Sequence, residues 1–167
     1  MTNRLLAFAA LAALVAGAAQ AAPATVTSEL KNSTGQTVGA VTLTEAPKGV
    51  LMRVEAKGLS PGWHGLHFHE KGDCSKSDFT SAGAHVHGSG AGVHGLLNAN
   101  ANETGDLPNI YAGSDGAASA EVFTSLTTLS ALRDADGSAV VVHANADDHM
   151  AQPIGGAGAR VACAVVK

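Results

Sequence analysis

The sequence predicts an all-β fold in a single domain, and two observations lead to this prediction. Short segments rich in β-branched residues, or with alternating apolar and polar residues, recur along the chain. Turn residues such as Asn32-Ser33, Pro47-Lys48-Gly49 and Asp134–Gly137 separate these segments. The segment Val122–Arg133 has some helical character, but it is rich in Thr and Ser and lacks a Gly or Ser–Glu cap. We therefore interpret it as a strand followed by a loop.

Seven segments are predicted as strands. In chain order they are Val26–Leu30, Val38–Thr44, Gly49–Ala56, His64–His69, Ala118–Phe123, Ala139–Ala144 and Arg160–Val166. Most show β-branched residues or alternation, whereas Ala139–Ala144 contains the apolar run Val140–Val142, which is typical of a buried strand. Two long glycine-rich segments, Glu70–Gly116 and Asn145–Ala159, contain few strand-forming residues. Because loops of this length within one domain are usually functional, we expect the chemistry to lie there.

The first residues have the features of a secretory signal peptide. Arg4 supplies the positive start, Leu5–Ala18 is an apolar stretch, and Ala19-Gln20-Ala21 is a small-x-small cleavage site. A membrane anchor is the alternative, but no long apolar span with stop-transfer flanks follows. We therefore predict a signal peptide over residues 1–21, one domain over residues 22–167, and a periplasmic or secreted protein.

The charge of the chain is moderately acidic. It has 10 Lys and Arg residues against 14 Asp and Glu residues, a net charge of −4 with neutral histidines. Removal of Arg4 with the signal peptide leaves about −5. Because the chain contains no basic block of the kind that nucleic-acid binding needs, we expect neither nucleic acid nor a membrane as a partner.

The two cysteines, Cys74 and Cys163, both lie in the predicted exported domain. An oxidising compartment makes a disulfide between them the default, and two independent thiols are the alternative. Closing so long a loop would stabilise the fold by about 4–5 kcal/mol in the chain-entropy treatment.

The histidines are the strongest functional signal. Six of the eight fall between His64 and His94, and two of these form His67-Phe68-His69. Residues i and i+2 of a strand project from the same face, so His67 and His69 can enter one site. His143 follows the apolar run of a buried strand, which gives it a rigid position. Three strand-mounted imidazoles suit Cu(II), although any single histidine is more often a hydrogen-bonded structural residue.

A second group of candidate ligands lies in the long glycine-rich segment. His85 and His94 are nine residues apart, and Asp106 follows in Gly105-Asp106-Leu107-Pro108. Imidazole and carboxylate side chains are ligands of structural zinc, which fixes the loop that carries them. The alternative is that these are solvated polar side chains on the surface.

Five motifs, in order along the chain, resemble those of the copper–zinc superoxide dismutases. They are Gly65–Asp73, Ser81–His85, Gly105–Asn109, Val141–Asp148 and Gly155–Cys163. The resemblance extends from about Val26 to Val166. It implies an eight-stranded Greek-key β-barrel and an enzyme that converts the superoxide anion to oxygen and hydrogen peroxide, as a monomer or a homodimer.

The resemblance also assigns roles to individual residues. It implies copper at His67, His69, His85 and His143, and zinc at His85, His94 and Asp106, with His85 shared between the two metals. It places Asp147 between the two metal sites, where an outer carboxylate orients ligating histidines. It places Arg160 at the mouth of the copper channel as the catalytic cation, and it pairs Cys74 with Cys163 to tether the long loop.

Two positions depart from the family pattern. Glu103 stands where the family has a further zinc-binding histidine, so it either ligates zinc or points to solvent and leaves the site one ligand short. His87 lies just after His85, where the family has a different sequence, and it is either a surface residue or a substitute ligand. Two other functions remain open: a non-catalytic copper-binding or copper-delivery protein, and a copper-only enzyme.

Overall fold

The computed structural model describes residues 21–167, so the predicted signal peptide lies, apart from Ala21, outside the described residues. These residues form nine strands and one short α-helix, which confirms the all-β prediction. In chain order the elements are β1 Thr25–Asn32, β2 Thr37–Ala46, β3 Gly49–Ala56, β4 Gly62–His64, β5 Leu66–His69, a short 3₁₀ helix Thr80–Ala82, β6 Ile110–Ala112, β7 Ala118–Thr124, α1 Leu129–Leu132, β8 Ser138–His143 and β9 Arg160–Val166.

The strands form one curled antiparallel arrangement. Seven of them make a sheet in the order β5-β8-β9-β1-β2-β3-β7, and β4 pairs with β6. Only Gly65 separates β4 from β5, and a Cβ at this position would lie 2.8 Å from the Cβ of Ala157. Glycine therefore lets the predicted strand bend as it passes from one sheet to the other. Counted with β4 and β5 as one bent strand, the fold has eight strands, the number that the resemblance implies.

Burial along the strands follows the two-residue period of a sheet. In β3 the side chains of Val50, Met52 and Val54 point into the core, while Arg53 and Glu55 are exposed. All six residues of β8 are buried, because one face packs in the main core and the other packs beneath the disulfide-linked loop. This double burial explains the apolar run of β8 and gives the histidine at its end a rigid support.

The structure differs from the predicted elements in two places. Strand β6 lies within the segment that is predicted as a loop, because its three residues are too few to show a periodic pattern. The interpretation of Val122–Arg133 as strand plus loop is wrong over the single turn of α1. Thr128 caps this turn, since its Oγ1 accepts a hydrogen bond from the N–H of Ala131 at 3.2 Å.

The predicted disulfide between Cys74 and Cys163 is present, with a Cα–Cα distance of 6.0 Å. It ties the loop that follows β5 to strand β9, and such a bond is typical of exported proteins. Among residues 21–167, no helix is both long and apolar enough to cross a membrane.

Candidate metal centre

The long segment after β5 packs along that strand, which is the end strand of the larger sheet. The N–H of Phe68 donates to the carbonyl oxygen of Gly105 at 2.8 Å, and its carbonyl accepts from the N–H of Val86 at 2.9 Å. His67 therefore lies opposite Asp106, and His69 lies opposite His85. Backbone pairing at the free edge of β5 thus places the ligand candidates of the loop beside those of the strand.

Four histidines form what we call the tetra-histidine cluster: His67, His69, His85 and His143. Each is at most 2% exposed, and one ring nitrogen from each lies within 4.8 Å of the others. The structure therefore brings together the four residues to which the resemblance assigns copper.

Hydrogen bonds fix the ring orientation of the three strand-mounted histidines in this cluster. The contacts are His67 Nε2 to Asp147 Oδ2 at 2.7 Å, His69 Nδ1 to the Gly83 carbonyl at 3.0 Å, and His143 Nδ1 to the Gly158 carbonyl at 3.1 Å. Each of these nitrogens donates a proton to an oxygen, so the other nitrogen of a neutral ring carries a lone pair.

The ring nitrogens that face the middle of the cluster have no hydrogen-bond partner among residues 21–167. They are His67 Nδ1, His69 Nε2, His85 Nε2 and His143 Nε2. Leaving a buried polar atom unpartnered costs about 1–3 kcal/mol, so four such atoms aimed at one point need an explanation. A cation that accepts four imidazole nitrogens fits this arrangement.

Burial also keeps the three strand-mounted rings neutral. It lowers the pKa of His67, lowers the pKa of His69 well below its usual value, and, with the nearby His67, lowers the pKa of His143 to about 3. Neutral imidazole is the form that binds a metal, so these three histidines are prepared for ligation without losing protons.

A second group, which we call the mixed cluster, consists of His85, His94, Glu103 and Asp106. His85 Nδ1 lies 2.7 Å from Glu103 Oε2 and 3.2 Å from Asp106 Oδ1. His94 Nδ1 lies 3.0 Å from the same Glu103 oxygen and 2.9 Å from the same Asp106 oxygen. The Glu103 side chain is only 8% exposed, so it points into the cluster rather than to solvent. His67 also lies near, but its two nitrogens face Asp147 and the tetra-histidine cluster.

Opposite charges hold the mixed cluster together. Burial opposes charge on every member, but hydrogen bonds with Asp106, Asp147 and Glu103 raise the pKa of His94 to about 11. Hydrogen bonds with Asp106 and Glu103 likewise raise the pKa of His85 against the effect of burial. Contacts with the same two histidines lower the pKa of both carboxyl groups, although burial would raise it. The carboxylates are therefore anionic and available to a cation.

Asp147 joins the two clusters. Its Oδ2 accepts the hydrogen bond from His67, and its Oδ1 accepts one from His94 Nε2 at 3.1 Å. The Asn109 side chain holds its backbone, donating to the Asp147 carbonyl and accepting from the Asp147 N–H, both at 2.8 Å. One buried carboxylate thus orients a histidine on each side.

Gln152 holds the backbone of His94 in a similar way. Its Oε1 accepts from the His94 N–H at 2.9 Å, and its Nε2 donates to the His94 carbonyl at 2.8 Å. No pattern in the sequence indicated that Asn109 or Gln152 is a functional residue. Neither is a charged or metal-binding type, and each acts on the backbone of a residue far away in the sequence.

Arg160 lies beside the tetra-histidine cluster. Its Nη1 donates to the carbonyl oxygen of Phe79 and its Nη2 to that of Gly83, both at 2.6 Å. The Gly83 carbonyl also accepts from His69, so the guanidinium and the cluster share an anchor. His87 lies outside both clusters, and its Nδ1 contacts the Gly88 carbonyl at 2.7 Å.

Comparisons with known proteins agree with this centre. The family model described as copper/zinc superoxide dismutase (SODC) matches residues 37–166. The chain belongs to this family. It is 62% identical over 147 residues to a copper–zinc superoxide dismutase of Caulobacter vibrioides, and the alignment covers 84% of each protein.

Solved structures of the family have the same fold. The copper/zinc superoxide dismutase of Brucella abortus matches with a TM-score of 0.73 at 31% identity, over 86% of this chain and 100% of that one. A superoxide dismutase-like protein of Bacillus subtilis matches with a TM-score of 0.75 at 32% identity, over 84% of this chain and 97% of that one. The family and fold predicted from the sequence are confirmed.

Proposed function

We propose that this chain dismutates superoxide at copper held by His67, His69, His85 and His143, beside zinc held by His85, His94, Glu103 and Asp106. Membership of the copper/zinc superoxide dismutase family carries the activity and the two cofactors. The observation that supports the copper ligands is the set of four unpartnered ring nitrogens that face one another. When bound, copper supplies the alternation between Cu(II) and Cu(I) by which one superoxide is oxidised to oxygen and another is reduced to hydrogen peroxide.

Arg160 binds and orients the substrate. Burial lowers the pKa of its guanidinium and Asp78 opposes this, but an arginine remains a cation at physiological pH. The carbonyls of Phe79 and Gly83 fix the plane of the guanidinium next to the ring of His69. A fixed positive charge beside the copper ligands attracts a small anion even though the protein has a negative net charge.

His85 holds a proton for the product. Its Nε2 faces the tetra-histidine cluster without a hydrogen-bond partner among the described residues, while its Nδ1 faces Glu103 and Asp106. With Nδ1 held on the side of the mixed cluster, Nε2 is the ring nitrogen that can take a proton and give it to the reduced substrate.

Glu103 is the fourth zinc ligand in this proposal. Its Oε2 lies 2.7 Å from His85 Nδ1 and 3.0 Å from His94 Nδ1, whereas His87 lies outside the mixed cluster. A tetrahedral zinc ion with ligands at about 2.0 Å has ligand–ligand distances of about 3.3 Å, only slightly longer than the distances in this cluster. Zinc would therefore fit with a small outward movement of the side chains.

The domain organisation and the location also belong to the proposal. We assign residues 1–21 to a signal peptide and residues 22–167 to the dismutase domain, and we place the mature protein in the periplasm. The disulfide supports export because such bonds persist in oxidising compartments. The intact mass of the protein recovered from the periplasm tests the assignment, since a chain that keeps residues 1–21 would contradict it.

Superoxide consumption by a His143→Ala variant tests the copper assignment. Copper-loaded wild-type protein should consume superoxide rapidly, and the variant should lose at least about 100-fold of that rate because one copper ligand is missing. His87→Ala is the matched control, since it also removes an imidazole but lies outside both clusters. Equal rates for His143→Ala and wild type would refute the copper site. An inactive wild type that still binds copper would instead favour a copper-binding or copper-delivery protein.

Metal analysis of a Glu103→Ala variant tests the zinc assignment. After purification with zinc and buffer exchange, Glu103→Ala should retain much less zinc than the wild type, while His87→Ala should retain a full equivalent. A fully occupied zinc site in Glu103→Ala would exclude Glu103 as an essential ligand. Loss of zinc from His87→Ala would move the role to that histidine.

A further inference from the structure

The two clusters offer different donor atoms. The tetra-histidine cluster presents four imidazole nitrogens, whereas the mixed cluster presents two imidazole nitrogens and two carboxylate oxygens. Both share His85, so copper and zinc meet at adjacent sites that differ in charge and in softness. The second carboxylate, that of Glu103, is the position where this chain departs from the family pattern.

Glu103 occupies its place in the mixed cluster because the local backbone makes room for it. The residue pairs across the loop with His87, and its N–H donates to the Val93 carbonyl at 3.3 Å. A Cβ on Gly92 would lie 2.9 Å from Glu103 Oε1, so glycine leaves space for the second carboxylate oxygen. Only Oε2 then points at the two histidines.

Asp106 likewise offers one oxygen to the mixed cluster. Its Oδ1 contacts both histidines, and its Oδ2 accepts the N–H of Gly95 at 2.7 Å. The mixed cluster therefore presents four ligand atoms in a closed set. Four ligands suit the tetrahedral preference of zinc, whereas Cu(II) favours a square-planar or tetragonal arrangement.

Copper binds most nitrogen and oxygen sites more tightly than zinc does, so affinity alone would load copper into both clusters. Imidazole is a good ligand for both copper and zinc, so a set of imidazoles does not offset this preference for copper. Carboxylate is a harder donor and discriminates less in favour of copper. Exchanging one imidazole for a carboxylate should therefore reduce the preference for copper over zinc.

We infer that Glu103 is the residue that sorts the two metals, because its carboxylate makes the mixed cluster a poor site for copper and reserves it for zinc. This inference rests on the proposed ligand assignment. This selection matters when the supply of metal is limited or contains both copper and zinc. It prevents the shared His85 from binding two copper ions.

Copper loading of metal-free wild type, Glu103→His and Glu103→Gln tests the inference without an activity assay. Each protein is incubated with Cu(II) and Zn(II) at equal free concentrations, desalted, and analysed for copper and zinc per chain and for its electron paramagnetic resonance signal. Wild type should hold one copper with an isolated-ion signal. Glu103→His should hold two, with a signal broadened by coupling through His85. Glu103→Gln keeps an oxygen donor and should also hold one.

Competition with zinc measures the size of the effect. With equal free copper and zinc, the ratio of copper to zinc in the mixed cluster should rise severalfold in Glu103→His, because the added imidazole restores the preference for copper. Glu121→His is the matched control, because it places the same new imidazole on an exposed position of β7. It should behave as wild type.

Two outcomes would overturn the inference. One is a wild type that takes two coupled coppers in the presence of zinc, a result that needs no variant to fold. The other is a second copper in Glu121→His, which would show that any added histidine suffices. Neither outcome depends on superoxide consumption, so loss of activity in the wild type would refute the proposed function separately.

Discussion

The two metal-binding clusters are built on different kinds of support. In the tetra-histidine cluster, three of the four histidines lie on β5 and β8, strands that pair with each other residue by residue. In the mixed cluster, all four ligand candidates lie in the connection between β5 and β6. A strand holds its side chains through a continuous ladder of backbone hydrogen bonds. A connection must hold them through separate contacts, here supplied by Gln152, Gly95 and the edge of β5.

The clusters also differ in how they avoid the cost of burying charge. The strand-mounted histidines become neutral, as the lowered pKa of His143 shows. The mixed cluster keeps its charges and pairs them, as the raised pKa of His94 and the lowered pKa of Asp106 show. A rigid neutral site therefore lies beside a site whose geometry depends on attraction between loop residues. The two should respond differently to metal removal and to mutation.

Zinc removal should have the largest effect, and the local part of the effect should be greatest in the connection. Zinc at a thousandfold excess over its dissociation constant stabilises the fold by about 4 kcal/mol, which corresponds to a rise in Tm on the order of 10 °C. After zinc removal the amide of Gly95 should exchange fast through local opening, because the loop ligands lose their common partner. The amide of Val141 in β8 should lose no more protection than the fall in global stability, because it is exposed only when the barrel unfolds. Exchange at Val141 as fast as at Gly95 after zinc removal would contradict the comparison.

Asp147→Asn should weaken both sites at once. The side chain keeps its shape, but its amide nitrogen cannot accept a hydrogen bond from one of the two histidines, and its neutral amide oxygen is a weaker acceptor for the other than a carboxylate oxygen, so both His67 and His94 are held less firmly. Replacement of such an outer partner typically lowers metal affinity about 10–100-fold. Titration with copper and with zinc measures this.

Asp148→Asn is the matched control for that experiment. Asp148 is the exposed neighbour of Asp147, and its Oδ1 accepts hydrogen bonds from the N–H groups of Met150 and Ala151. Because an asparagine oxygen can accept the same bonds, the Asp148→Asn variant should bind copper and zinc with the affinities of the wild type. If Asp147→Asn weakened only one metal, the two clusters would be independent and not joined through this carboxylate.

Gln152→Ala should have the smallest effect and should act on one side only. It removes two hydrogen bonds to the backbone of His94, each worth about 1 kcal/mol. Zinc should therefore dissociate about fivefold to thirtyfold more readily, while copper affinity stays unchanged. Gln36→Ala, in the turn after β1, is the control. A matching fall in copper affinity would show that the strands do not isolate the tetra-histidine cluster from the loop.

The sequence predicted more of the strand-built region than of the loop-built one. Alternation identified strands such as β3, and the run Val140–Val142 identified β8, because burial in a sheet follows a simple period. Strand β6 and the single turn of α1 were missed because each is too short to show a period. The short strand depends instead on pairing with β4, which is distant in the sequence.

The same division holds within the site. His67, His69 and His143 were expected to share one site from strand geometry and from the resemblance. For Glu103 the sequence left two orientations open, since a glutamate in a loop can reach inward or outward. Contacts with His85 and His94, together with the space at Gly92, decide its direction.

The sequence by itself determined the strand pattern, the types of the ligand side chains and the only cysteine pair that could form. These depend on residue identity and on short periodic spacing. Only the tertiary structure decided which nitrogen of each histidine is unpartnered, where the Glu103 carboxylate points, and that Asn109 and Gln152 hold the ligands in place. These features depend on hydrogen bonds between residues as many as 80 positions apart, such as His67 and Asp147, and no local pattern encodes such contacts.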